Sequence, residues 1–291
     1  MTKKVALVLS SGGARGLAHI GVIERLEEEG YEISSIAGTS IGALVGAFYA
    51  CGKLEAYKKW AIELDRMDVF KLFDFTFSVQ GFIRGEKVFT ELKKVIEDID
   101  IEDMPIPFAA IASDAKNKKE VVFDSGSMYQ AIRASTAIPT VLKPLKVNDM
   151  ELVDGGVTNP VPVDRVKRHS GDILVVSNVN ASIAYEKPKK TEKVDKQGEE
   201  SYEQKISKFF DNWGKLLPGT SEPTKKLGFF DLINRSIDLM QDKLTDALLE
   251  KHNPDMLIQL SRDAASTFEF FRAKELIEAG RKAYDEVGKN G

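Results

Sequence analysis

Ile36-Ala37-Gly38-Thr39-Ser40-Ile41-Gly42-Ala43-Leu44 places one serine between two glycines, Gly-x-Ser-x-Gly. Ile33 to Ala37 reads as the end of a buried strand and Ala43 to Ala50 as a helix, so Ser40 falls at a strand-to-helix turn. Such a turn holds the serine backbone in an unfavourable region. Gly38 and Gly42 leave room where a Cβ would meet the neighbouring strand or helix. Ser40 is therefore a candidate nucleophile, with the Ile41 amide and the first helical turn beside it to stabilise an oxyanion. The competing reading of these nine residues is a Gly-Ser turn without chemistry.

Upstream, Val5 to Ser10 is an uninterrupted apolar run that stops at glycines, as an inner parallel strand does on entering a ligand-facing loop. From Leu17 to Glu29, Leu17, Ile20, Val22, Ile23 and Leu26 are spaced for one helical face, and Gly30 ends the pattern. This β-α-β-α order implies a right-handed crossover and a sheet covered on both faces, hence an α/β class. Downstream, one or two helices are expected over 53–74, with the aromatic cluster Trp60, Phe70, Phe73 and Phe75, and another over 86–98. A strand over 108–112 turns at 117–119 into Val121-Val122-Phe123, and a helix over 127–135 stops before Pro139. A hairpin turning at Asn148-Asp149 leads into Asp154. A helix over 162–169 then enters a strand over 172–179. The remainder reads as a charged stretch at 183–205, a helix over 229–251, a strand over 255–260 and a helix over 270–287.

With 291 residues, 43% of them hydrophobic, the chain can bury the core of one domain with insertions. A net charge of -4 gives no electrostatic case for nucleic acid as a partner. The single Cys51 forms no internal disulfide and reads as a helix-end thiol in a reducing compartment. Lys3-Lys4 before Val5 to Leu9 looks like a signal peptide only at first sight, because the apolar run is short and ends in Ser10-Ser11-Gly12-Gly13. No apolar stretch has the length to span a bilayer. The expectation is a cytoplasmic protein, with room for contact at a membrane surface.

Three further segments bear on chemistry. Gly12-Gly13-Ala14-Arg15-Gly16, between the first strand and its helix, can turn successive backbone N–H groups into a cleft. A dinucleotide fingerprint would need glycine at Ser11, and no Gly-Lys-Ser/Thr follows to make a P-loop. Asp154-Gly155-Gly156 can bring a carboxylate to another loop, although alone it reads as an Asp-Gly turn. Ala134-Ser135-Thr136-Ala137-Ile138-Pro139 alone says only helix end. The order Ser40, Asp154, His169 would suit a triad. His169 and His252, however, sit at basic helix ends where a protonable side chain has a structural reason to be, and His19 lies one turn into the first helix. No metal-ligand cluster or calcium loop is visible, so no cofactor is expected.

Taken together, the blocks Gly12 to Gly16, Gly38 to Gly42, Ala134 to Pro139 and Asp154 to Gly156 resemble, in order, those of the patatin-like phospholipase family. Ser11 stands where many members have a further glycine. The resemblance covers about 4–180 and again the terminal helices. It implies a three-layer α/β/α fold with a mainly parallel central sheet, forming a single domain over 1–291. Within that domain a catalytic core spans 4–180, a charged insertion with an amphipathic helix 181–228, and a helical completion 229–291. It also implies lipid or ester hydrolysis by a Ser40-Asp154 dyad without histidine. Gly12, Gly13, Ala14 and Arg15 would form the oxyanion loop, with Gly16, Gly38, Ile41, Gly42, Gly155 and Gly156 shaping the turns. A regulatory or scaffold protein that keeps this fold with little turnover is the alternative.

Tyr202, Ile206, Phe209, Phe210, Trp213, Leu216 and Leu217 fall on one helical stripe in 201–217. This segment reads either as a helix packed on the domain or as a lid or peripheral membrane contact.

Overall fold

The computed structural model describes residues 3–73, 85–139, 141–185 and 229–287. The amphipathic stripe at 201–217 and most of the charged stretch at 183–205 lie outside them. By its contacts the chain divides into two compact units, Met1–Tyr185 with Gln241–Gly291, and Glu186–Met240. Of the second, the first half of one long helix is described.

The first unit is built on an eight-stranded sheet. Strand β1 (Lys3–Leu9) lies in the middle, with Val5 to Leu9 fully buried, as an all-apolar run covered on both faces must be. It pairs in parallel with β2 (Tyr31–Thr39) on one side and β7 (Ile173–Ala181) on the other. Strand β3 (Phe108–Asp114) continues the parallel order beyond β2, and β8 (Met256–Ser261) continues it beyond β7. The far end is antiparallel: β4 (Lys119–Phe123) and β6 (Met150–Asp154) pair with β3, and β5 (Leu145–Val147) pairs with β6. The two tight reversals use Lys118 at φ 54° and Asn148 at φ 51°, left-handed positions in the turns expected there.

One face of the sheet carries α1 (Ala18–Glu28) and α2 (Ile41–Ala50), with α3 (Leu54–Glu63), α5 (Glu86–Val95) and α6 (Met128–Ser135) contributing to the same core. A short α4 (Arg66–Leu72) starts at an Asp65 capping box, so 53–74 is two helices rather than one. The final helix, α8 (Ala273–Val287), lies against α1 at close range. A Cβ on Gly21 would come within 2.0 Å of Ile277 O, and one on Gly280 within 1.9 Å of Ala18 O. The backbones touch because both positions lack side chains. Arg25 and Arg281 then bridge the two helices through Asp285, Glu24 and Glu28.

On the opposite face, Ala6, Val8, Ala37, Ala109, Leu174 and Val176 pack under Val161, Val163 and Val166, with Leu249 of α7 (Phe229–His252) beside them. This completes an α/β/α arrangement with a mainly parallel sheet. The expected helix over 162–169 is absent. Residues 161–166 form turns, with Val163 N–H donating to Val161 O and Arg165 N–H to Pro162 O. Pro160 and Pro162 remove two backbone donors, and all three valines are buried on the sheet, so packing overrides the weak helical pattern. The helix expected from Phe270 begins with a 3₁₀ turn, Phe270–Arg272, before α8. Among the described residues, no helix is long and apolar enough to cross a membrane.

Candidate active site

Parallel strands put their carboxyl ends on one edge of a sheet, and that edge is where open α/β sheets form crevices. There β2 ends at Thr39, Ser40 turns the chain and α2 begins at Ile41. Ser40 has φ 58° and ψ -123°, a backbone state that costs a non-glycine residue energy. What imposes it is crowding. A Cβ on Gly38 would lie 2.4 Å from Gly42 O, and a Cβ on Gly42 would lie 2.3 Å from Leu9 O. Strand β1, the end of β2 and the start of α2 are thereby in backbone contact. A hydrogen bond to Ser135 at the end of α6, whose hydroxyl accepts the Ser40 N–H at 2.8 Å, further fixes the turn.

Asp154 ends β6 opposite Ala112 of β3. Its carboxylate Oδ2 accepts the Ser40 hydroxyl at 2.5 Å, and Oδ1 accepts the Gly156 N–H at 2.7 Å. Its backbone is held as well, with N–H on Ala137 O and the carbonyl on the Ser113 hydroxyl. Gly155 is pressed against Ile111 O, where a Cβ would come within 2.2 Å. Ser40 and Asp154 are only 5% and 6% exposed. Burial pushes the Asp154 carboxyl up to about 6, more than the hydrogen bonds from Ser40 and Gly156 pull it down. The pair is thus a hydroxyl on a carboxylate whose basicity lies near neutral pH.

The glycine loop follows β1. Gly13, at φ 56°, opens a 3₁₀ turn, Gly13–Leu17. The loop amides fare differently. Ala14 N–H is donated to Thr267 O at 2.9 Å, whereas the Gly12 and Gly13 amides find no acceptor among the described residues. The Arg15 guanidinium bonds Arg262 O, Ala265 O and Asn180 Oδ1, tying the loop to the end of β7 and to the segment after β8. Gly16 sits directly on Ile41, where a Cβ would be 2.1 Å from its side chain. The four expected loop donors therefore divide into two open amides, one amide committed to Thr267, and an arginine side chain acting as a brace.

Gly13, Ser40 and Ile41 face a cavity whose other walls are almost wholly apolar, including Tyr57, Trp60, Val69, Phe89 and Leu142. Tyr57 stacks on Trp60, and Phe73 on Phe270, along this wall. Of the aromatic cluster expected to form core or cleft wall, Trp60 and Phe73 line the space beside Ser40, Phe70 does not, and Phe75 lies outside the described residues.

The histidines lie apart from this pair. His19 is fully buried. Its Nε2–H donates to Ser10 O, and Nδ1 accepts from the Ser177 hydroxyl, and burial lowers it to about 4. It is a neutral strut under the glycine loop. The His169 N–H donates to Asp172 near the start of β7, and His252 ends α7. Among the described residues no group of carboxylates, histidines or cysteine could hold a metal.

A strained serine at a strand-to-helix turn, a buried carboxylate and a glycine loop on one sheet edge are the arrangement in which a serine hydroxyl can act as a nucleophile. The model of the family "Patatin-like phospholipase" matches residues 7–167, and the chain belongs to that family. An uncharacterized NTE family protein of Mycobacterium tuberculosis is 32% identical over 321 aligned residues, covering 96% of this chain and 89% of that protein. Lysophospholipase NTE1 of Candida albicans is 27% identical across 97% of this chain, which matches only 20% of that protein's length. Patatin-like phospholipase domain-containing protein 6 of Mus musculus is 31% identical over 61% of this chain and 14% of its own length.

Proposed function

We propose that the protein is a serine acyl hydrolase that cleaves carboxylic esters of phospholipids or lysophospholipids, with Ser40 as nucleophile and Asp154 as its base. The observation that carries this reading is the 2.5 Å contact between the buried Ser40 Oγ and Asp154 Oδ2, with Ser40 at the edge of an apolar cavity. In the first half-reaction Asp154 takes the hydroxyl proton as Oγ bonds to the ester carbonyl carbon. The carbonyl oxygen becomes an oxyanion held by the Gly13 amide, with the Gly12 and Ile41 amides nearby. When the C–O bond breaks, the proton held by Asp154 passes to the leaving alcohol. In the second, water attacks the acyl-enzyme, Asp154 accepts its proton, and the Ser40 oxygen leaves with that proton as the free acid departs. Each oxyanion donor is worth about 3 kcal/mol of barrier. The apolar cavity suits an acyl chain better than a charged headgroup, since a buried unpaired charge there would be costly.

The test is labelling of intact protein by a fluorophosphonate, with the adduct mapped by mass spectrometry, beside hydrolysis of long-chain and short-chain esters. Labelling at Ser40, and loss of both labelling and turnover in Ser40→Ala, is the expected result. Labelling at another serine would overturn the assignment. Labelling at Ser40 without ester turnover would favour the regulatory alternative. Comparison of cellular lipids under wild-type and Ser40→Ala protein would identify the natural ester.

A further inference from the structure

A second, open groove lies across α5 from the apolar cavity, and Phe89 lines both. Its walls come from α5, the start and end of α6 and the segment Lys143 to Lys146. It presents four cations, Lys93, Arg133, Lys143 and Lys146, and two carboxylates, Glu86 and Glu151. Lys146 and Glu151 are paired with each other at 2.9 Å. The remaining three cations outnumber the remaining carboxylate.

Arg133 is the unusual member. Arg25, Arg165, Arg262, Arg272 and Arg281 each have a carboxylate within ion-pair distance. Arg133 is half-buried and has none among the described residues. Its Nη2 donates to Lys143 O at 2.8 Å, its guanidinium lies 6.0 Å from the Phe89 ring, and its buried Nη1 has no hydrogen-bond partner. Burial lowers its proton affinity, with only Glu86 opposing. A guanidinium left short of acceptors in a half-dry site is costly unless an anion completes it. The two lysines beside it are exposed and free to swing, with Lys93 resting over the Tyr129 ring at 5.2 Å. Tyr129 in turn donates its hydroxyl to Ile96 O, which leaves it no role as a competing anion.

We propose that this groove binds a phosphate group, with Arg133 as its fixed, fork-shaped donor and Lys93 and Lys143 as mobile cations that close over it. A planar guanidinium matches phosphate oxygens two at a time, while lysine ammoniums serve as adjustable point charges. Sulfate-sized anions fit the same description. The lysines at the rim suit either the phosphodiester of a lipid headgroup or a soluble phosphate.

The experiment uses the full chain and two probes. Inorganic phosphate is titrated against the protein at constant ionic strength, with chloride replaced, and followed by thermal stability and by amide and guanidinium NMR shifts. Vesicles of pure phosphatidylcholine, with and without phosphatidylglycerol, are tested by cosedimentation. The variants are Lys93→Glu with Lys143→Glu, Arg133→Gln, and a control of equal charge change on α8, Lys274→Glu with Lys282→Glu, all four lysines being exposed.

Two surface cations contribute about thirtyfold in affinity for an anionic surface. If the anion is a lipid headgroup, the groove double variant loses at least tenfold in vesicle binding and the control does not. If it is soluble, phosphate stabilises the wild type and the control but not the groove double variant, and vesicle binding is the same in all. Either result supports the site, and Arg133→Gln, provided it retains the wild-type circular dichroism, then loses the same response. The proposal is overturned if neither probe distinguishes the groove double variant from wild type, or if the control loses as much. None of these readouts depends on ester turnover, so failure here leaves the Ser40 assignment standing.

Discussion

The backbone N–H of Ser40 is held by the hydroxyl of Ser135, 2.8 Å away at the end of α6. The Ser40 amide is therefore spent on keeping the turn, and in the proposed mechanism the oxyanion falls to Gly13 and its neighbours. Ser135→Ala leaves that buried N–H without an acceptor at a cost of about 1–3 kcal/mol. The expected outcome is a drop in melting temperature with kcat on a soluble ester lowered at least fivefold and KM little changed. Unchanged kcat would show that the turn keeps its shape without Ser135.

For Asp154 the carboxyl is raised to about 6 by burial. In the proposed mechanism its deprotonated form is the base, so turnover is expected to rise with pH through a midpoint near 6 and then level off. Asp154→Asn keeps the shape but cannot take a proton, and should lower kcat by orders of magnitude. A variant with more than a tenth of wild-type turnover would exclude Asp154 as the base.

The same group has an opposite effect on stability. A carboxyl whose folded pKa is raised contributes stability that is full below its ordinary value of 3.8 and lost as pH rises through about 6. Holding Asp154 ionised at neutral pH therefore costs about 3 kcal/mol. Asp154→Asn should melt higher than wild type at pH 7.5, a difference that shrinks by pH 4. An Asn variant less stable at pH 7.5 would mean that the ionised carboxylate is favoured rather than strained.

His19 titrates the other way. Its folded value of about 4 lies below the ordinary 6.5, so its contribution is present above 6.5 and lost as pH falls toward 4. In wild type the losses of His19 and the gains of Asp154 overlap in the same window and offset each other. In Asp154→Asn the His19 slope stands alone, and denaturant midpoints measured from pH 7 to 4 should fall more steeply than in wild type. His19→Gln should destabilise the fold yet keep fluorophosphonate labelling at Ser40. A folded His19 variant that fails to label would bring the histidine into the chemistry.

Gly42→Ala would drive a methyl to within 2.3 Å of Leu9 O, and backbone cannot yield there without separating β1 from α2. This variant should fail to accumulate as folded protein. Gly30→Ala, in open space at φ 77°, should cost about 1 kcal/mol and remain active. Normal expression of Gly42→Ala would refute the crowding that explains the Ser40 backbone.

What could be read from the chain was local. Val5 to Leu9, the Leu17 to Glu29 stripe and the Gly38 to Gly42 turn declare themselves because each rests on neighbours in sequence. Handedness gave a crossover and a sheet covered on both faces, but the position of β7 and β8 beyond β1 and of the antiparallel strands beyond β3 had no local signal. Asp154 stood out only as one block among four, because nothing within the Asp-Gly-Gly triplet says which hydroxyl it faces. The partners that shape the glycine loop were invisible: Thr267 O takes the Ala14 amide, and Arg15 reaches Asn180, Arg262 and Ala265. Ser135, beyond its place in a block, looked like an ordinary helix end, since its bond to Ser40 spans a sequence gap that no periodicity reports. Residues 162–169 were misread as a helix because burial of Val161, Val163 and Val166 on the sheet outweighed local spacing between two prolines.

The contact of α8 with α1 and the bond from Thr267 to Ala14 bear on how the molecule comes into being. On the ribosome Ser40 and Asp154 emerge long before Thr267 and Gly280, so the serine and its carboxylate exist for a time without the buttress behind the glycine loop. On the proposed mechanism, the glycine loop is expected to take its final shape only when these later segments dock. A stop codon placed just before Ala273 would thus yield a chain that retains every residue of the site yet never matures it.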